Sequence, residues 1–134
     1  MDMRFADLID TGMRQEVPMR LLILFVRVAR MRDPQHPERP ASTLTPVMVT
    51  DKLIEPGLTF NALVEEADAI NPAWDLVLIS TLSRADGNIP ASQEAVPHLQ
   101  RMADTVVSGG DLSCFIVYDR AETPLRIESN LAGG

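Results

Sequence analysis

A chain of 134 residues is long enough to bury one hydrophobic core. With 46% hydrophobic and 23% charged residues, its composition excludes disorder throughout and is that of a globular protein. The net charge of −7 argues against nucleic acid as a partner, since polyphosphate is repelled unless a local basic patch exists.

The charge is uneven. Residues 1–40 carry a net +1 and residues 41–134 a net −8. Arg27, Arg30, Arg32 and Arg39 make a modest basic group in the first part, read as a solvated stretch balancing the acids. The single cysteine, Cys114, excludes an intrachain disulfide. Aromatic residues make up only 4%, so Leu, Ile, Val, Ala and Met must build the core.

In chain order, Phe5, Leu8 and Ile9 have helical spacing in residues 3–13, with Gly12 near the end. Residues 20–29, RLLILFVRVA, form a β-type run, apolar on both faces and so expected in the sheet interior. Its apolar centre, LLILFV, is too short for a signal core or a membrane span, and a cytoplasmic location follows as the default. Residues 31–44 read as a Pro-rich mobile loop. Pro34, Pro37 and Pro40 also have the spacing of a polyproline II ligand.

Residues 45–53 read as a strand. Thr59 is placed to cap a helix whose stripe is Phe60, Leu63, Val64, Ala67 and Ile70, ending at Asn71-Pro72. Residues 74–82 read as an interior strand. From Ser92, the expected N-cap, Val96, Leu99, Met102, Ala103, Val106 and Val107 recur at helical spacing until Gly109-Gly110. Pro97 fits this helix only in its first turn. Residues 112–119 read as a strand and 124–129 as a short edge strand suited to homodimer pairing. Residues 130–134 read as a frayed tail.

The expected fold is a single α/β domain: a mixed sheet of about five strands, two main helices and a short N-terminal helix. The two strand–helix–strand segments have the length of right-handed βαβ units.

Catalytic chemistry finds little support. Cys114, inside LSCFIVYD, reads as a buried core thiol. His36 and His98 stand alone, with no zinc spacing, so neither a metal nor a cofactor is expected. Glu65 and Glu66 point about 100° apart on one helix and do not converge. Asp51, Asp75, Asp86 and Asp119 sit at strand ends or turns, where Asp is a good turn former.

The segment SRADGNIPAS at 83–92 has neither the glycines of a phosphate loop nor the acids of a calcium loop. Its interest is its place at the end of strand 74–82. Open α/β sheets often bind ligands there, and Arg84, Asp86, Asn88 and Ser92 would be the ligand-facing residues, with Asp51 or Asp119 assisting.

Several short motifs occur together: Pro46-Val47-Met48, Asp51-Lys52, Phe60-x-x-Leu63-Val64-Glu65-Glu66-Ala67, Trp74-Asp75, Leu82-Ser83, Leu99-x-x-Met102 and Asp119-Arg120. In them the chain resembles, over about residues 20–127, a family of small uncharacterised bacterial proteins often labelled ribonucleotide reductase alpha subunit. The resemblance implies no established activity or site residue. The label conflicts with chemistry. That catalytic subunit needs a radical cysteine, a redox cysteine pair and a far longer barrel, whereas this chain has one cysteine.

The expectation is therefore a small cytoplasmic binding or regulatory module whose partner is a protein or a second copy, with no nucleic acid and no membrane. The alternatives are a small-molecule or anion binder, or an enzyme, using loop 83–92, and a domain read through its Pro-rich segment.

Overall fold

A computed structural model describes residues 4–32 and 40–125. Three helices surround one five-stranded sheet in the order α1 (Phe5–Met13), β1 (Arg20–Arg32), β2 (Pro40–Leu53), α2 (Phe60–Ile70), β3 (Leu76–Leu82), α3 (Ser92–Val107), β4 (Ile116–Asp119) and β5 (Pro124–Leu125). The α/β class, strand number and helix number are those expected. The sheet order is β2-β1-β3-β4-β5.

Every pairing is antiparallel, which corrects the expected parallel βαβ units. β2 and β3 do run the same way, but β1 lies between them. β3 and β4 are neighbours of opposite direction. Length alone could not distinguish these arrangements, because a helix can connect strands in either sense.

β1 is interior because it is apolar on both sides. Leu21, Ile23 and Phe25 face α1 and α2 in one core. Leu22, Leu24 and Val26 face α3 in the other. Each buried side chain contributes about 1.5–3 kcal/mol over its exposed state, so this one strand anchors both layers. Phe25 and Phe60 extend the first core edge-to-face onto Trp74 and Tyr118, respectively.

Several boundaries moved. β1 and β2 reach inward to Arg32 and Pro40, so the expected loop over 31–44 is partly strand. Residues 33–39, with Pro34, Pro37 and His36, lie outside the described residues, as do 126–134 with the expected tail and most of the expected edge strand. Pro46 is accommodated because β2 is an edge strand, beside a register shift between Phe25 and Val26.

β4 begins only at Ile116. Before it, Asp111 Oδ1 accepts from Ser113 N at 2.9 Å, and Phe115 N donates to Leu112 O at 3.1 Å, making a turn. Cys114 sits in that turn and is exposed, a correction to the buried thiol.

Thr59 caps α2 as expected, its side chain accepting from Ala62 N. α3 is capped differently. Its N-cap is Ala91, whose N–H donates to Glu94 Oε2 at 2.7 Å, and Ser92 is the first helical residue. Pro97 therefore falls in the second turn. Pro97 and Gln93, whose carbonyl loses its helical donor, are both exposed, so water can satisfy that oxygen.

Candidate functional site

Of the residues singled out at 83–92, Arg84, Asp86 and Asn88 bond one another, while Ser92 bonds to Asp51 of β2. Arg84 Nη2 pairs with Asp86 Oδ2 at 2.8 Å, and Arg84 Nη1 pairs with Glu94. Asp86 Oδ1 also accepts from Asn88 N at 3.0 Å, closing the turn around Gly87, whose φ is +79°. Arg84 raises its affinity for its proton through these partners, Asp86 first. Arg84 in turn holds the Asp86 carboxyl well below the usual carboxylate range.

Ser92 Oγ donates to Asp51 Oδ1 at 2.9 Å. Asp51 Oδ2 accepts from Arg20 Nη1 at 2.6 Å, and Arg20 Nε donates to Pro90 O at 2.9 Å. Asp51 thus joins the cluster, whereas Asp119 lies at the other end of the sheet, opposite Leu76. Because the sheet is antiparallel, this loop shares its end with the start of β1 and the finish of β2. The ligand crevice of parallel sheets is not formed by such an end. Arg84 is committed to two carboxylates and Ser92 to a third. These bonds tie loop, helix and sheet together.

The other strand-end acids make comparable local bonds. Asp75 Oδ2 accepts from Val28 N at 2.7 Å. Asp119 Oδ1 accepts from Ala121 N at 2.8 Å and Thr123 N at 2.9 Å. Glu66 pairs with Lys52 at 2.6 Å and Glu65 is exposed, so the two do not converge. His98 Nδ1 lies 3.2 Å from Arg101 Nη2 on α3. Among the described residues, no three His, Cys, Asp or Glu side chains are grouped to hold a metal ion. No described helix is long and apolar enough to cross a membrane.

Two concavities among the described residues lie away from this loop. One, at the N-termini of α1 and α2, includes Phe5, Thr59 and Glu122, and Phe5 N donates to Glu122 Oε2 at 3.3 Å. Tyr118, in the neighbouring core, has its phenol pushed up to about 12 by burial, then by Glu122 and Asp7.

The second is an apolar groove between β2 and α2. Its lining includes Phe25, Met48, Thr50, Leu63, Ala67 and Ile70. Its cavity volume is about 110 Å³, well below the roughly 300–1,000 Å³ of small-molecule pockets. It suits one apolar side chain better than a metabolite.

The groove exposes a feature the sequence reading missed. Ile70, expected on the buried stripe of α2, is 73% exposed. Val96 and Val107, expected on the buried stripe of α3, are 51% and 72% exposed, and Val49 of β2 is 47% exposed. Among the described residues the sheet stops at β2, and no further described strand covers Val49.

Their placement follows from geometry. Ile70 lines the groove with Met48 and Val49. On the opposite face, Ser92 touches Asp51, and α3 runs back along β2 toward Leu44, which packs on the same core. At 100° per residue, Val96, Ala103 and Val107 fall within about 60° of Ser92, on the flank turned to β2.

Comparison with known protein families, with curated proteins and with solved structures found no match.

Proposed function

We propose that this protein works by binding another protein chain along its β2 side, as a regulatory or interaction module rather than a catalyst. The observation behind this reading is the exposure of Val49, Ile70, Val96 and Val107, with Val49 and the groove at Ile70 on β2, the edge strand of the described sheet. An exposed apolar strip of this kind costs solubility unless something covers it. The adjoining groove is sized for a side chain, which fits a protein partner better than a small ligand. The resemblance to the small bacterial family adds no activity to this reading.

The test is site-directed photo-crosslinking in cells of the native host. A crosslinking residue at Val49 should yield adducts with a polypeptide. One at Met13, 46% exposed on α1, should not. Equal yields at both positions would reject the reading.

A further inference from the structure

We infer that Asp86-Gly87 is a latent site of isoaspartate formation, and that Arg84 holds it unreactive by engaging both of the groups that would react.

The liability lies in the residue pair. Among aspartates, one followed by glycine rearranges most readily, because glycine has no side chain to keep its backbone nitrogen away from the aspartyl carboxyl. Of the seven glycines, Gly87 is the one that follows an aspartate or asparagine. Access is open as well. Asp86 is exposed in a turn, and a Cβ placed on Gly87 would meet, beyond its chain neighbours, nothing nearer than Val17 Cγ1 at 3.9 Å.

The reaction needs no reagent besides water. Gly87 N attacks Asp86 Cγ. The N–Cγ bond forms as one Cγ–O bond of the protonated carboxyl breaks. The leaving oxygen departs as water, with its own proton and the amide proton. A second water then opens the five-membered imide at either carbonyl. One opening restores aspartate. The other leaves the backbone running through Cγ, as isoaspartate, with the mass unchanged.

In the folded chain both reactants are engaged. Asp86 Oδ2 accepts from Arg84 Nη2 at 2.8 Å, and Oδ1 accepts from Arg84 Nε at 3.0 Å and from Asn88 N at 3.0 Å. Turning Cγ onto Gly87 N breaks these bonds. The same donors keep the carboxyl ionised, and a carboxylate has no good leaving oxygen. On the other side, Gly87 N donates to Arg84 O at 3.1 Å, so the proton that must be given up is already held. One residue thus restrains the electrophile with its side chain and the nucleophile with its carbonyl. Rearrangement is left to the opened population of the loop. Conversion would draw the Asp86 carboxylate away from Arg84, which also pairs with Glu94 of α3, so the hold preserves the junction of loop and helix.

The test incubates the full chain at neutral pH, warm but below unfolding. Isoaspartate is counted by enzymatic methylation of its free carboxyl and located at residue 86 by fragmentation mass spectrometry. A synthetic peptide of residues 80–95 gives the unrestrained rate. The native chain should react at least about tenfold more slowly than this peptide, matching an open population of about a tenth or less. Arg84→Gln should recover most of that difference. Arg84→Lys, which keeps the charge but not the fork, should fall between. Glu94→Gln cuts the ion pair to α3 but leaves the fork on Asp86, and should stay within about twofold of the native rate. Circular dichroism checks that each variant keeps the native fold.

A native chain as fast as the peptide would overturn the inference. So would a slow chain whose rate Arg84→Gln leaves unchanged, or one that Glu94→Gln accelerates as much as Arg84→Gln does. A peptide that forms no isoaspartate would remove the liability itself.

Discussion

The Asp68 carboxylate gives the most demanding test of the packing. Trp74 is 1% exposed, and its Nε1–H donates to Asp68 Oδ1 at 3.0 Å. The same carboxylate receives Arg120 Nη2 at 2.9 and 2.7 Å, and the Arg120 guanidinium lies 4.2 Å from the Trp74 ring centroid. Asp68→Ala removes the acceptor and leaves a buried indole N–H unpaired, which costs about 1–3 kcal/mol. The Arg120 ion pair is over one-third exposed on the arginine side, so its loss adds at most about 1 kcal/mol. The cation–π contact survives, because Arg120 Nη1 still donates to Trp74 O at 3.1 Å. Asp68→Ala should thus cost about 2–4 kcal/mol. Asp68→Asn keeps an acceptor for the indole and should cost about 1 kcal/mol or less. Urea unfolding followed by fluorescence of Trp74, the only tryptophan, and by circular dichroism measures both. Equal losses for the two variants would refute the claim that the indole bond, rather than the ion pair, carries the stability.

Pro97→Ala restores a helical donor to Gln93 O and should stabilise by about 1–2 kcal/mol, read as a raised urea midpoint, after allowance for the greater freedom of the unfolded chain. Gly87→Ala forces a side chain onto φ +79° and should cost about 1 kcal/mol in the same assay. The Asp86 carboxyl is lowered first by its hydrogen bond from Arg84, then by the backbone N–H of Asn88. A lowered folded value means the turn's contribution is present above the ordinary carboxylate range and is lost as pH falls through the depressed value. Carbon-13 titration should therefore find Asp86 still ionised at about pH 3, where an unpaired aspartate is mostly protonated.

The sequence carried the element list well because its strongest signals are periodic. The LLILFV run reads as a strand covered on both faces, and the Phe60/Leu63/Ala67 stripe as a helix on a core. Strand direction was not legible, since a helical connection of similar length joins parallel or antiparallel strands. Cys114 was misplaced for a related reason: its apolar neighbours suggested a strand, but Asp111 starts a turn that carries the thiol outward. Within the loop at 83–92, Arg84, Asp86 and Asn88 bond one another and Ser92 bonds to Asp51. Their mutual pairing was hidden, because Asp51 and Arg20 reach them only through the sheet. The β2 strip was visible in letters and unreadable in meaning. Ile70, Val96 and Val107 continue apolar stripes, and their exposure became visible only in the structure, where β2 is the edge of the described sheet.

The claim that the β2 side is a covered binding surface is most directly tested by methyl resonances exposed to a soluble paramagnetic agent. The labelled chain would be measured at high concentration in an extract of its native cells. For a lone chain, exposures of 73% at Ile70, 47% at Val49 and 46% at Met13 predict that Ile70 is bleached most and the other two equally. The account predicts the reverse: Ile70 and Val49 protected, Met13 fully bleached. Bleaching in the order of lone-chain exposure would contradict it.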